Sequence, residues 1–393
     1  MTCAYFDNNA NAPVLPEVLQ AMLPALSGAV GNASSIHQRG QAAKAALERA
    51  RAQVATLIHA QPNEIVFTSG GTESNNLAIR GAVAEWMATR ARDGVKPHLI
   101  TTRIEHHAVL HVFEDLERQG HAVTYVAPDR NGRIEAAAVA AALRPDTALV
   151  SVMMANNETG VLQPVAEIAA ITKAAGVAFH VDAIQAAGKV PVDALATGCQ
   201  FLSLSAHKFH GPAGIGALYV RRGARLRPIL LGGHHERDRR AGTENVPGIV
   251  GMGAAAELAT DASACARIAA LRDRLETGIL ALVEGSGVVG AGAARVPNTA
   301  NIYFDGIEGE ALLIALDLHG FCVSTGAACS SGAIEPSHVL LAMGFSKARA
   351  RSCIRFSLGR QNSEAEVDAL LRALPALVER QRRLAPATMV RSA

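Results

Sequence analysis

The stretch FLSLSAHKFHGP, residues 201–212, decides the fold. It opens with an apolar run, Phe201–Ser205, and continues into a turn that is rich in serine and histidine and ends in Gly-Pro. Short apolar runs bounded by polar turns are typical of strands. The stretch therefore predicts a buried strand whose end opens into a polar turn carrying Lys208.

On both sides of this stretch, from about residue 60 to 220, similar runs alternate with helical patterns such as 165–175. The runs lack strict alternation of apolar and polar residues, as expected of strands that are covered on both faces. The alternation of strands and helices predicts an α/β layer with a mostly parallel, seven-stranded sheet. The predicted strands are Glu64–Thr68, His98–Thr102, Ala122–Val126, Ala148–Met153, Ala178–Val181, Phe201–Ser205 and Gly216–Val220.

The order of predicted elements changes after about Gly251, and this part of the sequence predicts a second, smaller α+β domain. Before the strands, Ser35–His59 predicts one long helix with Ser34 or Ser35 as its N-cap. After about Gly251 the predicted elements are the helix Met252–Val283, the strand Asn298–Phe304, the helix Gly309–Leu318 and the helix Ser363–Leu384. We expect a large cofactor-binding domain over residues 16–252 and a small domain formed by residues 1–15 and 253–393.

Composition favours a cytoplasmic enzyme and argues against several other classes. The chain has 393 residues, 49% of them hydrophobic, which suits two domains with sizeable cores. Its 37 basic and 35 acidic side chains give a net charge of +2, so charge offers no case for nucleic acid or a membrane surface. We expect no secretory signal and no membrane span. The cysteines are scattered without a C-x-x-C pair, which predicts a reduced protein with neither a disulfide framework nor a zinc site; they are Cys3, Cys199, Cys265, Cys322, Cys329 and Cys353.

Lys208 lies just after the predicted strand, where a side chain can project into a cleft. The ordinary alternative is an exposed loop lysine. A lysine that forms a Schiff base needs partial desolvation, so that its neutral amine is populated, and the end of a buried strand provides that environment. Lys208 is therefore a candidate Schiff-base lysine.

A second candidate is Asp182, in the segment FHVDAIQ, residues 179–185. It ends an apolar strand, where a carboxylate is poorly solvated unless a positive group meets it. A protonated pyridine nitrogen would meet it, and keeping that nitrogen protonated makes the ring an electron sink. A helix-capping aspartate is the alternative that the residues leave open. Gln185, one turn further on, could donate to the phenolic oxygen of such a cofactor.

The segment TSGGTES, residues 68–74, predicts an anion site, because it precedes the helical run Asn75–Thr89. A glycine-rich turn that opens a helix presents N–H groups to an anion, and Thr72 adds a hydroxyl. Such turns are common, so the signal is weak when taken alone. Ser205 and His207 could complete a phosphate-binding cup.

His106 follows the predicted strand His98–Thr102. Its ring could stack on a planar cofactor and shuttle a proton. A lone histidine is more often structural, and the adjacent His107 would point elsewhere. The residues alone therefore leave the role of His106 open.

Cys329 lies at the centre of the segment STGAACSSG, residues 324–332. This composition of small residues packs poorly in a core, and we expect the segment to be mobile. A buried, inert cysteine is the usual alternative, and the composition argues against it. Cys329 is therefore a candidate nucleophile that could reach both a cofactor and an external acceptor.

Taken in order, these motifs resemble the cysteine desulfurases, the NifS/IscS-like group of class V aminotransferase-fold enzymes. The resemblance spans nearly the whole chain and implies aminotransferase fold type I, and Arg222–Asn245 looks closest to the nitrogen-fixation-type members. The segments that carry it are Asp7–Ala10, Gly31–His37, Thr68–Asn76, Ala155–Gly160, Val181–Gln185, His207–Pro212, Arg240–Asn245, Ala328-Cys329 and Ile354–Ser357.

The resemblance implies pyridoxal 5'-phosphate as the cofactor. Lys208 would hold it covalently, Asp182 would hold its pyridinium nitrogen and His106 would stack on its ring. The other residues implied to contact the cofactor are Gly71, Thr72, Asn157, Gln185, Ser205, His207 and, from the other subunit of a homodimer, Thr243. The residues implied to bind the substrate are Arg355, whose fork suits a carboxylate, Asn157 and Asn32.

The resemblance also implies an activity, the removal of sulfur from L-cysteine to give L-alanine and a persulfide on Cys329. The implied catalytic residues are Cys329, Lys208 and His106, and Cys329 is also a candidate transient iron–sulfur ligand. The sulfur would pass to an iron–sulfur scaffold protein or another acceptor, with nitrogenase maturation as one setting. The alternatives are a selenocysteine lyase, a plain class V aminotransferase and a cofactor-bound assembly platform. The first two need no nucleophilic cysteine, so Cys329 discriminates against them.

Overall fold

A computed structural model of the chain describes residues 3–28, 31–90, 95–326 and 335–384. Across these ranges its strands are β1 (Ala4–Tyr5), β2 (Ile65–Thr68), β3 (His98–Thr102), β4 (Val123–Val126), β5 (Thr147–Met153), β6 (Ala178–Asp182), β7 (Phe201–Ser205), β8 (Gly216–Val220), β9 (Ser286–Val288), β10 (Thr299–Phe304), β11 (Phe321–Cys322) and β12 (Cys353–Ser357).

The helices of the same ranges cover both faces of the seven-stranded sheet, and several of them belong to a second unit around β9, β10 and β12. They are α1 (Pro16–Leu26), α2 (Gln38–Leu57), α3 (Gly71–Arg90), α4 (His107–Arg118), α5 (Ala136–Ala142), α6 (Val165–Ala174), α7 (Ala194–Thr197), α8 (Val246–Leu258), α9 (Ala262–Leu282), α10 (Gly309–Leu318), α11 (His338–Ala342), α12 (Lys347–Arg351) and α13 (Glu364–Leu384). Short 3-10 turns lie at Pro62–Glu64, Ala206–Lys208 and His235–Asp238.

The large sheet has seven strands among the described residues, in the order β2-β8-β7-β6-β5-β3-β4. The strands from β4 across to β7 pair in parallel, whereas β8 is antiparallel to both β7 and β2. The predicted mostly parallel, seven-stranded sheet is therefore confirmed. In a parallel sheet the carboxyl ends of the strands share one edge, which is where such folds bind ligands.

Two predicted helices differ from the structure: one begins later than predicted, and the other is two helices. In both cases a side chain caps a helix at a residue that was not predicted as the cap. The helix predicted over Ser35–His59 begins at Gln38, because the His37 ring, rather than Ser34 or Ser35, accepts a hydrogen bond from the Gly40 N–H at 3.2 Å. The helix predicted over Met252–Val283 is two helices, α8 and α9. Asp261 ends the continuity because its carboxylate accepts from the Ser263 N–H at 3.0 Å and caps α9.

Apolar side chains pack against both faces of the large sheet. On one face α3 and α4 bury residues such as Ile79 and Phe113. On the other face α2, α6 and α8 bury residues such as Val54, Ile168 and Met252. This double cover explains why the strands read as nearly continuous apolar runs.

A separate apolar cluster lies in the second unit, around the sheet β9-β10-β12 and the helices α9, α10 and α13. Ala4 and Phe6 from the amino-terminal segment belong to this cluster. We propose the division of residues 16–252 from residues 1–15 and 253–393 on this basis, with two refinements. Helix α8 crosses residue 252 and packs on α2, and Val339 and Leu340 of α11 belong to the apolar cluster of the large sheet. Over the described residues, none of the helices combines the length and apolarity needed to cross a membrane.

A buried ion pair ties α2 to β2 and to the 3-10 turn His235–Asp238. The Arg51 guanidinium donates to both carboxylate oxygens of Glu236, at 2.7 and 2.8 Å, and to the Ile65 carbonyl at 2.9 Å. The Phe67 N–H donates to the same Glu236 carboxylate at 2.9 Å. The Arg51 and Glu236 side chains are 4% and 3% exposed, so water is excluded from their charges. Their hydrogen-bond partners must replace the lost hydration.

We expect Glu236→Ala to lower the free energy of unfolding by about 3–5 kcal/mol, because it leaves the Arg51 charge buried without its partner. Urea denaturation followed by circular dichroism measures this change. The matched control is Glu48→Ala, which removes the other, 45% exposed carboxylate that contacts Arg51 and should cost at most about 1 kcal/mol. Equal losses in the two variants would contradict the assignment of Glu236 as the partner that stabilises Arg51.

Candidate active site

A cavity of about 500 Å³ opens at the carboxyl ends of β5, β6 and β7, and β12 contributes to its wall. Of the residues predicted for the site, those that line it are Gly71, Thr72, His106, Asn157, Asp182, Gln185, Ser205, His207, Lys208 and Arg355. Asp182 and Ser205 are the last residues of β6 and β7, so strand geometry alone brings them to one edge.

Lys208 ends the short turn that follows β7 and is held in the cavity by backbone oxygens. Its Nζ donates to the carbonyls of Asn9 and Ala10, both at 2.8 Å. Burial, reinforced by the nearby Arg355 guanidinium, lowers the pKa of Lys208 to about 8, although Asp7 opposes this shift. A substantial neutral fraction of the amine is therefore available near neutral pH, as a Schiff-base lysine needs.

Asp182 presents a buried carboxylate to the same cavity. Its Oδ2 accepts from the Asn75 Nδ2 at 2.8 Å, and its Oδ1 accepts from the Ile184 N–H at 3.0 Å. Burial raises the pKa of Asp182, whereas these two hydrogen bonds and the charge of Lys208 favour its ionised form. A cation placed against this carboxylate would relieve the cost of its desolvation.

The amino terminus of α3 forms the part of the cavity suited to an anion. The helix begins at Gly71, one turn earlier than the helical run predicted from Asn75, so the Gly-rich turn itself is the helix terminus. A Cβ at Gly71 would lie 2.2 Å from the Ile184 Cδ1, so a larger residue here would push the Ile184 side chain out of its position. The Ser205 hydroxyl lies opposite and is hydrogen-bonded to the His207 Nδ1 at 3.0 Å. Helix N–H groups and hydroxyls in this arrangement fit a phosphate.

His106 is the N-cap of α4, and this role fixes its protonation. Its Nδ1 accepts from the Ala108 N–H at 3.0 Å, so the neutral ring carries its hydrogen on Nε2. Burial and the neighbouring Lys208 charge lower the pKa of His106 to about 4. The ring therefore faces the cavity as a neutral hydrogen-bond donor.

Arg355 lies on β12 and is almost fully buried at the cavity wall. Its Nη2 donates to the Asp7 carboxylate at 2.8 Å and its Nη1 to the Asn157 carbonyl at 3.0 Å. Among the described residues its buried Nε has no hydrogen-bond partner. A guanidinium with a spare donor, fixed by two others, fits a carboxylate ligand.

Three side chains of the site were missed from the sequence. Asn75 orients Asp182, and it is a buried amide one helical turn after Thr72. Asn9 and the buried Lys189 meet at 2.9 Å, and Lys189 also donates to the Oε1 of Gln185. Asn9 could have been found from the sequence, because it is the last of three polar residues that directly follow a short apolar run. No sequence pattern marks Lys189.

A buried carboxylate, Glu158, was also missed and lies beside both ends of the segment that contains Cys329. The Ser337 hydroxyl donates to its Oε2, and Gly326 approaches the same side chain. Burial raises the pKa of Glu158 to about 7, while Ser337 and Arg355 lower it. Glu158 therefore titrates near neutral pH at the base of this segment.

Two predicted residues do not line the cavity in the part of the chain that the structure describes. Asn32 is exposed in the turn before α2, where its side chain accepts from the Ser34 N–H at 2.8 Å. Thr243 is exposed at the surface of its own chain. Cys329 falls in residues 327–334, outside the described residues, whereas Ser324 and Gly326 before it line the cavity.

Comparison with known proteins assigns the chain to a family. The model of the aminotransferase class-V family matches residues 4–370. "Cysteine desulfurase 2" of Trichormus variabilis is 50% identical over 387 residues, covering 98% of this chain and 96% of that protein. The chain belongs to the cysteine desulfurases of the class-V aminotransferase family.

Other relatives agree with this assignment. "Cysteine desulfurase IscS" of Anaeromyxobacter dehalogenans is 50% identical, with 97% of this chain and 94% of that protein covered. A solved "NifS-like protein" is 37% identical with a TM-score of 0.87, covering 96% of this chain and all of that one. A structure named "SspA in complex with cysteine" is 36% identical with a TM-score of 0.81, covering 92% of this chain and 100% of that one. The predicted family and fold type are thus confirmed.

We expect Asn75→Leu to weaken the binding of pyridoxal 5'-phosphate by about 10- to 100-fold. Leucine keeps the approximate volume but removes the donor to Asp182, and a hydrogen bond to a charged group contributes about 1.5–3 kcal/mol. Titration of the cofactor-free protein, followed by the visible absorbance of the bound cofactor, measures the dissociation constant. Asn76→Ala, at the next position of α3, should bind the cofactor as the unaltered chain does. Unchanged affinity in Asn75→Leu would rule out its role in orienting Asp182.

Proposed function

We propose that this cysteine desulfurase holds pyridoxal 5'-phosphate on Lys208 and collects the sulfur of L-cysteine on Cys329. The observation that carries the proposal is a lysine with a lowered pKa and a buried carboxylate, Lys208 and Asp182, facing one cavity. Membership of the cysteine desulfurases supports both the substrate and the transfer of sulfur.

The residues of the cavity fit this cofactor. Asp182 offers a buried anion for the pyridinium nitrogen, and the amino terminus of α3 offers donors for the phosphate. The Gln185 Nε2 donates to the Asn9 carbonyl at 2.9 Å and keeps a second hydrogen for the phenolic oxygen. When bound, the cofactor supplies an electron sink for charge that develops on the substrate.

Arg355 would bind the carboxylate of L-cysteine. Its unpaired Nε and the remaining hydrogens of its two Nη atoms provide the donors, and Asp7 and the Asn157 carbonyl fix the plane of the guanidinium. Asn157 lines the cavity beside it, which supports a contact of its amide side chain with the cofactor or the substrate. A planar fork held in this way is specific for a planar carboxylate.

Lys208 would act as the base that takes the α-proton, since its amine is neutral in part near pH 8. His106 would stack on the cofactor ring and donate from Nε2, because its Nδ1 is engaged with the Ala108 N–H. His106 can accept the proton of the substrate thiol only if its ring changes tautomer and gives up this cap. The geometry therefore favours a positioning and donating role over that of the thiol base.

Cys329 would attack the sulfur of L-cysteine as a thiolate. The carbon–sulfur bond breaks, a sulfur–sulfur bond forms on Cys329, and the carbon skeleton takes up a proton and leaves as L-alanine. Cys329 follows the cavity-lining Gly326 by three residues, and three residues of extended chain span at most about 11 Å. This connectivity supports access of Cys329 to the cavity.

We further propose that the chain is a homodimer whose partner contributes Thr243. Helix α1 exposes an apolar stripe at Leu19, Leu23 and Leu26, and Leu231 is 81% exposed. Thr243 lies close to Leu231, because the N–H of Ala241, two residues before Thr243, donates to the Leu230 carbonyl at 3.3 Å. Exposed apolar surface of this kind supports burial against a second copy.

The persulfide sulfur would then pass to an iron–sulfur scaffold protein or a related acceptor. Relatives of this chain are named as NifS-like and IscS proteins, which supports iron–sulfur cluster assembly and, for the first, nitrogenase maturation. Cys329 would serve as the donor, and transient ligation of a cluster by Cys329 is part of the same proposal.

We expect Cys329→Ala to retain the visible absorbance of the bound cofactor but to lose alanine and sulfide formation from L-cysteine by at least about 10³-fold, because the nucleophile is gone. The assay contains a reductant, and both products are quantified. Cys265→Ala, which removes a partly exposed cysteine that does not line the cavity, should keep its activity. Sulfide release at an unchanged rate by Cys329→Ala would instead favour a lyase, and keto-acid formation would favour an aminotransferase.

We expect the purified chain to sediment as a particle of twice its 40.9 kDa mass, since a second copy would bury the exposed leucines of α1 and Leu231. Thr243→Ala should leave that mass unchanged but lower cofactor affinity, because it removes one donor to the phosphate without altering the apolar contacts. Analytical ultracentrifugation and cofactor titration measure the two properties. A monomer with full turnover would refute the shared site.

A further inference from the structure

Two cysteines that are 319 positions apart meet at the surface of the second unit. The Sγ atoms of Cys3 and Cys322 are 2.9 Å apart, and the Cys3 thiol is also 3.2 Å from the Gly320 carbonyl. The sequence predicted isolated cysteines, because no short spacing pairs them. The parallel pairing of β1 with β11, which aligns Tyr5 with Cys322, brings them together.

The backbone around the pair is fixed on both sides. The Ala4 N–H donates to the Gly320 carbonyl, and the Phe6 N–H donates to the Cys322 carbonyl, both at 2.8 Å. A disulfide has a sulfur–sulfur distance of about 2.05 Å, so the two Sγ atoms need to approach by only about 0.9 Å. Cys3 is the exposed member of the pair, so its side chain is the one with room to make this approach.

The two thiols differ in their surroundings. Cys3 is exposed to solvent, whereas Cys322 is half-buried. Burial, followed by the neighbouring Cys3, Asp317 and Asp7, raises the pKa of the Cys322 thiol to about 12. The exposure of Cys3 makes it the accessible thiol for an incoming oxidant, and the short distance between the two Sγ atoms, not the acidity of Cys322, makes Cys322 the thiol that can displace what binds there.

We propose that Cys3 and Cys322 form a reversible disulfide, a modification site separate from the cysteine that carries sulfur in the reaction. The oxidant is a low-molecular-weight disulfide. The Cys3 thiolate attacks one of its sulfurs and releases one thiol; Cys322 then attacks the Cys3 sulfur of the mixed disulfide and releases the second. Two protein thiols are oxidised, one small disulfide is reduced to two thiols, and the two protons pass to solvent or the released thiolates.

The position of the pair gives the bond a structural consequence. The chain runs from β1 to Asp7 and Asn9, which hold Arg355 and Lys208. The chain runs from β11 to Ser324 at the cavity wall. A covalent bond between the two strands therefore fastens the segment that holds the site residues to the segment that leads to Cys329.

The test is oxidation of the holoenzyme, in a Cys329→Ser background, with oxidised glutathione, followed by alkylation and peptide mapping by mass spectrometry. We expect loss of two free thiols, a peptide pair joined through Cys3 and Cys322, a raised Tm, and reversal of all three by dithiothreitol. Cys265→Ser, which removes another partly exposed cysteine, should give the same result.

Cys3→Ser and Cys322→Ser should each abolish the joined peptides and the shift in Tm while leaving the reduced protein folded, as judged by circular dichroism. A glutathione adduct on Cys3 that persists without a Cys3–Cys322 link would overturn the proposal. So would an unchanged Tm on oxidation combined with a linked pair formed only after denaturation.

Discussion

The site depends on one buried asparagine near the start of the chain. Asn9 is 2% exposed, and each of its polar groups is engaged. Its carbonyl accepts from Lys208 and Gln185, and its side-chain oxygen accepts from Lys189 and Asn298. Its remaining donors reach Asn157, Thr299 and Ser357. These partners come from the large sheet and from the second unit, so this residue joins the two at the cavity.

This arrangement makes the amino-terminal segment part of the site and not an appendage. Buried polar groups are costly unless satisfied, and a fully satisfied network fixes a single geometry. Lys208 therefore lies at a defined depth, because two carbonyls of the segment hold its amine. Asp7 in the same segment orients Arg355. Lys208 and Arg355 are thus positioned by Asn9 and Asp7, residues only two apart in sequence.

The charges of the cavity explain which ligands it suits. Lys208, Lys189 and Arg355 bring three basic groups together, and Asp182, Asp7 and Glu158 are acidic groups near them. Burial lowers the pKa of both lysines, so the state in which Lys208, Lys189 and Arg355 are all charged is unfavourable. Anionic ligand groups would compensate these basic groups, and a cationic ligand group would compensate Asp182. The complementarity between ligand and cavity is thus mutual.

The sheet could be predicted because each strand is an apolar run that is covered on both faces, and the residues at the strand ends followed from it. Lys208, Asp182 and Ser205 belong to this class. The same reasoning missed the capping of α2 by His37 and of α9 by Asp261, since a cap depends on one local hydrogen bond. Pairwise contacts across the chain, such as that of Cys3 with Cys322, leave no trace in local sequence.

The residues that support the site were missed for the same reason, and Glu158 is the clearest case. Its carboxylate accepts from Ser337, which also caps α11 by accepting from the Leu340 N–H at 3.2 Å. On the other side, Ser324 exchanges backbone hydrogen bonds with Arg355. One end of the segment that contains Cys329 is therefore bonded to Arg355 at the cavity wall, and the other end is bonded to the buried Glu158. Two backbone hydrogen bonds hold Ser324 and Arg355 to each other, so the position of Arg355 on β12 and the start of the segment that contains Cys329 are fixed together.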